Sequence, residues 1–123
     1  IAKPRDSVST PSILRKIDYD KIKHQDVDAV VCAIKAQDYA TMVTKMGNTL
    51  EPITARRHPE ILKIKEKMLQ FGCDAAQMSG SGPTVFGVCQ KASRAQHIYN
   101  SLRGFCKEVY IVSPYNLDQQ ACF

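Results

Sequence analysis

Aromatic residues are scarce, at 7% of the chain, and they do not alternate with the basic positions that run from Lys3 to Lys67. That pattern excludes the stacking platform of single-strand nucleic-acid binding. No apolar run is long enough for a helical membrane span, and no secretory h-region is present. The five cysteines form no Cys-x-x-Cys pair and share no ligand spacing with histidine, so neither a zinc site nor an even disulfide framework is indicated. Cys32 and Cys89 fall in apolar runs and read as small core residues. Such cysteine usage predicts a reducing, cytoplasmic setting. There is no GxxxxGK[ST] loop, no GxGxxG opening a helix and no GxSxG elbow. The chain shows no internal repeat and no low-complexity segment.

What is present suits one soluble domain: 123 residues, 44% hydrophobic and 24% charged, with a net charge of +5. The mild basic excess reads first as solvated helix faces. One stretch organises the rest, residues 77–89. Short, small residues lead to Met78, and the β-branched and apolar Thr84 to Cys89 follow. Between them stand Ser79, Gly80, Ser81, Gly82 and Pro83. Gly80 and Gly82 can take positive φ and let another molecule approach the backbone. Pro83 fixes its own φ and withholds one amide. The composition is that of a tight hairpin loop, and also of a backbone nest for a phosphate or another oxyanion.

Along the chain, Ile1 to Lys3 reads as the end of a strand stopped by Pro4. Thr10 before Pro11 predicts an N-cap and a helix through Ile17. Asp26 would cap a second helix, Val27 to Ile34, and Gln37 or Asp38 a third, Tyr39 to Met46, with Met42, Val43 and Met46 inward. Pro52 argues against helix continuation after Glu51. Residues 58–71 carry a broad apolar stripe including Ile61, Leu62, Ile64, Met68 and Leu69, ended by Gly72. Two strands flank the glycine loop. A helix from Ala92 to Leu102, capped by Ser93, then leads to a strand over residues 109–112. Tyr115 to Phe123 reads as a tail. The order strand, helices, strand, strand, helix, strand predicts an α+β fold. It is a split βαβ, ferredoxin-like, four-stranded antiparallel sheet with helices on one face and extra helices in the first crossover.

The chemistry looks incomplete. His24, His58 and His97 have no ligand partners at useful spacing, and Asp18 and Asp20 alone make no metal site. A phosphate nest without a base, a lysine clamp or a magnesium carboxylate is half an active site. No catalytic residue and no metal ligand is therefore assigned within these residues. Asn48 and Glu51 are read as helix-end structure, and Arg56, Arg57 and Lys63 as solvated.

The run from Met78 through Gly87 resembles the third motif of the kinase superfamily named for galactokinase, homoserine kinase, mevalonate kinase and phosphomevalonate kinase (GHMP kinases). Three further passages narrow the likeness: Val8-Ser9-Thr10 after Lys3-Pro4, Asn48-Thr49-Leu50-Glu51, and His58-Pro59-Glu60-Ile61 leading into Gly72 to Met78. In that order, over nearly the whole chain, they resemble the 4-diphosphocytidyl-2-C-methyl-D-erythritol kinase family of non-mevalonate isoprenoid biosynthesis. The resemblance implies a GHMP kinase C-terminal domain over residues 1–123, the substrate-side part of a longer enzyme. An N-terminal ATP-binding domain would be its partner and would supply the catalytic Asp and Lys. ATP and magnesium would serve the full enzyme and neither would be held by this part alone. The substrate would be a cytidine diphosphate compound, phosphorylated on its 2-hydroxyl. The resemblance further implies that Ser79, Gly80, Ser81, Gly82, Pro83 and Thr84 lie beside the phosphates and that Thr10 lines the substrate pocket. Leu14 stands where the family usually has an aromatic against the cytosine. Two other readings stay open: a stand-alone module binding a phosphorylated ligand or RNA, and a GHMP kinase with another substrate.

Overall fold

In the computed structural model, which describes residues 1–114, the sheet grows outward from its shortest buried strand. Strand β1 (Ala2–Lys3) lies between β3 (Val85–Val88) and β4 (Glu108–Val109): Ala2 pairs with Val85 and with Val109, and all the pairings are antiparallel. The helices α1 (Thr10–Leu14), α2 (Val27–Lys35), α3 (Tyr39–Lys45), α4 (Glu51–Arg57) and α5 (Glu60–Phe71) fill the first crossover. Strands β2 (Ala75–Met78) and β3 (Val85–Val88) form the hairpin around the glycine loop. Helix α6 (Ala92–Arg103) returns the chain to β4 (Glu108–Val109). The strand order is β2-β3-β1-β4. This is the expected split βαβ sheet with extra helices in the first crossover.

Alternation along the strands sends Ala76, Met78, Val85 and Ala2 to one face. Helix α5 covers that face with Ile61, Ile64 and Met68, a spacing that repeats once per helical turn, and α6 adds Ile98 and Leu102. Gly87 lets α5 lie close to β3, because a Cβ there would overlap the Cys73 thiol and come within 3.1 Å of Met68 Sδ. On the opposite face Lys3 and Glu108, cross-strand partners, form an exposed ion pair at 3.9 Å. Helices α2 and α3 pack on each other. Tyr39 Oη donates to Asp74 Oδ2 at 2.6 Å, tying α3 to the start of the hairpin. Burial, followed by the bond to Asp74, pushes the Tyr39 phenol well above its ordinary value.

Local expectations fail in instructive places. Ser9, not Thr10, caps α1, its hydroxyl accepting from the Ser12 amide at 3.4 Å, and the helix closes at Leu14 rather than Ile17. Pro52 begins a helix instead of preventing one: it sits in the first turn of α4, where a missing N–H leaves no bond unmade. Helix α6 starts after Lys91 with no side-chain cap, so Ser93 lies inside its first turn. The last strand is confined to Glu108 and Val109, and Ile111 and Val112 are exposed. The α5 stripe is narrower than expected, with Leu62 and Leu69 exposed. Met42, Val43 and Met46 are half-buried, and Cys32 is on the surface. The expected tail, residues 115–123, lies outside the described residues.

Candidate functional site

The glycine loop turns tightly because its two glycines take φ of +57° and +86°, at Gly80 and Gly82; Pro83 follows through a cis peptide. The Ser79 amide donates to the Thr84 carbonyl at 2.8 Å, and the Gly82 amide to the Ser79 carbonyl at 3.0 Å. Space inside the turn is tight at Gly82, where a Cβ would stand 2.8 Å from Met78 Sδ and 3.2 Å from Thr54 Cγ2. At Gly80 a Cβ would meet nothing within 4 Å.

Side chains from α4 and from the segment just before it hold this turn. Asn48 Nδ2 donates to the carbonyls of Met78 at 2.7 Å and Gly80 at 2.8 Å, while its Oδ1 accepts from the Leu50 amide. Glu51 Oε1 accepts from the Met78 amide at 3.1 Å, and its Oε2 meets Lys65 Nζ at 2.9 Å. Thr54, fully buried, donates its hydroxyl proton to the Ser81 carbonyl at 2.9 Å. From α1, Thr10 Oγ1 lies 2.7 Å from Ser81 Oγ. Arg57 Nη1 reaches Ser12 Oγ at 3.5 Å, a long contact at the surface.

A trans peptide holds its C=O and N–H on opposite sides of one plane. The carbonyls of Ser79 and Gly80 are both occupied on the protein side, by the Gly82 amide and by Asn48. Their planes therefore turn the amides of Gly80 and Ser81 the other way. Among the described residues no acceptor meets either amide. Two adjacent free N–H groups next to a left-handed glycine make a concavity suited to an anion.

The structure thus brings Thr10 and the loop residues Ser79 to Thr84 to one place. Leu14, one turn further along α1, is 47% exposed. Neither of two surface cavities contains the loop: one of about 490 Å³ lies between Phe71 and His97, and one of about 530 Å³ lies between Arg5 and Lys107. Among the described residues no three His, Cys, Asp or Glu side chains converge to hold a metal ion. No helix of the described residues is long and apolar enough to cross a membrane. Sequence reasoning missed the α4 clamp. In the sequence Asn48 and Glu51 read as helix-end structure, and no pattern singles out Thr54, a threonine whose burial only the fold reveals.

Residues 30–108 match the family model described as GHMP kinases C terminal. This chain belongs to that family. Among relatives of the GHMP kinase C-terminal domain, the 4-diphosphocytidyl-2-C-methyl-D-erythritol kinase of Lactiplantibacillus plantarum is 60% identical over 97% of the chain and 42% of that protein. The protein of the same name from Ligilactobacillus salivarius is 69% identical over 91% of the chain and 39% of its own length. A crystal structure of 4-(cytidine 5'-diphospho)-2C-methyl-D-erythritol kinase superposes with a TM-score of 0.69 at 25% identity, over 85% of this chain and 38% of that one. A homoserine kinase from Cytophaga hutchinsonii shares the fold, with a TM-score of 0.64 at 22% identity. The chain spans 39% to 42% of the length of the two named relatives.

Proposed function

We propose that this chain is the C-terminal, substrate-side part of an ATP-dependent kinase that phosphorylates the 2-hydroxyl of 4-diphosphocytidyl-2-C-methyl-D-erythritol. One observation carries the reading. Thr10 and Ser81, 71 residues apart, meet through their hydroxyls at 2.7 Å. Two stretches that separately resemble passages of the kinase family, the Val-Ser-Thr passage and the glycine loop, therefore fall on one surface. The free Gly80 and Ser81 amides fit phosphate oxygens of the nucleotide or of the group in transfer, and preorganised amide donors stabilise charge that develops there. Thr10 and Leu14 face the acceptor. The catalytic Asp and Lys, and the side chains that hold ATP and magnesium, belong to an N-terminal domain closing over the loop. Magnesium would supply charge neutralisation at the phosphates, and the described residues offer it no cluster of ligands.

Leu14 favours a second reading within the same superfamily, a kinase for a different alcohol. An aliphatic side chain, half exposed, covers a base face without the stacking surface of Tyr or Phe. Phosphoryl transfer from ATP by the full-length gene product, with mevalonate and homoserine as rival acceptors, decides between them. Transfer to the cytidine compound, absent from residues 1–123 alone, is the expected result. Leu14→Tyr should then lower KM for that acceptor and leave KM for ATP in place. Transfer only to a rival acceptor would replace the first reading with the second.

A further inference from the structure

We propose that Asn48 and Thr54 are positioning residues that aim the Gly80 and Ser81 amides at a phosphate oxyanion. The inference rests on the reading of the glycine loop as phosphate-proximal, and extends it to side chains that touch no ligand.

Carbonyl accounting carries the case. Left alone, a loop of Ser and Gly can rotate its peptide planes, and a nest exists only while neighbouring amides point the same way. Here the Gly80 carbonyl is taken by Asn48 at 2.8 Å and the Ser81 carbonyl by Thr54 at 2.9 Å. Fixing the first plane sends the Ser81 amide outward. Fixing the second turns the Gly82 amide away from Thr54, to the Ser79 carbonyl; that carbonyl points back along the bond toward the protein, so the Gly80 amide turns outward as well. Both free donors are thus set by two side-chain bonds from the protein side.

The two side chains are themselves fixed. Asn48 uses both amide protons on the Met78 and Gly80 carbonyls and its oxygen on the Leu50 amide, so it has no rotamer freedom to spare. Thr54 is 0% exposed. A buried hydroxyl needs a partner, and its partner is the loop. Glu51, between them in sequence and one turn before Thr54 on α4, holds the Met78 amide at the root of the loop. Meanwhile the far side of Gly80 is open, with nothing within 4 Å of where a Cβ would stand.

The test uses the full-length gene product and inorganic phosphate as the probe, read by the amide resonances of Gly80 and Ser81, alongside KM and kcat for ATP. In the native protein both resonances should move on phosphate titration. Thr54→Val keeps the shape and removes the donor. It should weaken phosphate binding about fivefold or more, as should Asn48→Ala, and Thr54→Ser should restore binding to within about twofold of native. A folded Thr54→Val with native phosphate affinity and native KM would overturn the positioning role and leave the kinase reading intact. So would native Gly80 and Ser81 resonances that ignore phosphate in an active enzyme. Should Thr54→Val fail to fold, Asn48→Ala and Thr54→Ser decide the matter on the same readouts. Failure of the native protein to phosphorylate any acceptor would sink the kinase reading, and the titration would still judge the nest.

Discussion

The sheet–helix core and the glycine loop share strand β2, yet they are built from opposite materials. The core is periodic and apolar: Ala76, Met78 and Val85 on the sheet meet Ile61, Ile64 and Met68 on α5. The loop is irregular and polar. Its shape comes from directional bonds donated by Asn48 and Thr54 and accepted by Glu51. Dispersion and the hydrophobic effect tolerate small shifts in direction, whereas a hydrogen bond weakens steeply when misaligned. A core of the first kind supplies stability, and a clamp of the second kind supplies aim. Met78 belongs to both, with its side chain fully buried in the core and its backbone N–H and C=O held by Glu51 and Asn48.

The sharpest way to break this division is from the core side. Met68→Ala removes a side chain that is 2% exposed and touches both sheet and helices. It should cost about 2–5 kcal/mol in urea unfolding, while folded protein keeps near-native KM for ATP. The two loop glycines then sharpen the comparison. Gly82→Ala forces an L-residue to φ +86° against Met78 Sδ and Thr54 Cγ2, and should cost about 1–3 kcal/mol. Gly80→Ala, at φ +57° with open space around it, should cost about 1–2 kcal/mol. Its methyl would stand beside the free amides, so it should lower activity more than its stability loss explains. Equal activity losses in the two glycine variants would remove the distinction between a packed side and an open side of the loop.

The same division explains what was legible in the sequence. Apolar spacing marked α5, a β-branched and apolar run marked β3, the small residues before the loop marked β2, and the element order marked the sheet. Periodicity reports burial, and burial is what the core is made of. The loop itself was visible because Gly80, Gly82 and Pro83 have special backbone properties. The clamp was not, because a hydrogen bond between Thr54 and Ser81 leaves no periodic trace across 27 residues. The short helix α4 was missed for a related reason, since Pro52 is a breaker inside a helix and an initiator in its first turn. Thr10 reads as a cap because Pro11 follows it, and Pro favours the first helical position. The partner of Thr10 is Ser81, and Ser9 takes over the capping.

A chemical probe separates surface from core more finely. Burial, followed by the Cys89 thiol, pushes the Cys73 thiol up to about 11, and only the thiolate is a strong nucleophile. Cys32 is exposed. Iodoacetamide at pH 8 should therefore alkylate Cys32 at least about tenfold faster than Cys73, with the sites read by peptide mass spectrometry. Because the Cys73 thiol packs where Gly87 meets Met68, Met68→Ala should narrow that ratio, and Thr54→Val should leave it near native. A ratio near one in the native protein would mean that this end of the hairpin opens readily.

The smallest effect tests what a directional bond is worth once it leaves the interior. Asp38 caps α3, accepting from the Thr41 hydroxyl at 2.6 Å and the Thr41 amide at 3.1 Å. Those two bonds, the side-chain bond first, hold its carboxyl below the usual aspartate value. Since the folded pKa lies below the unfolded one, the carboxylate contributes stability above the unfolded pKa of about 3.9. That contribution is lost as pH falls through the folded value. Asp38→Asn keeps an acceptor for the Thr41 amide and removes the titration. The urea midpoint of native protein should fall between pH 5 and pH 2.5 by slightly more than that of Asp38→Asn, and the two should run parallel above pH 5. The bonds made by Thr54 and Asp38 have similar lengths, but one is sealed and the other meets water and salt. Thr54→Val should therefore lower the midpoint at neutral pH by more than Asp38→Asn does. An equal or larger effect at Asp38 would mean that burial adds nothing to the clamp on the glycine loop.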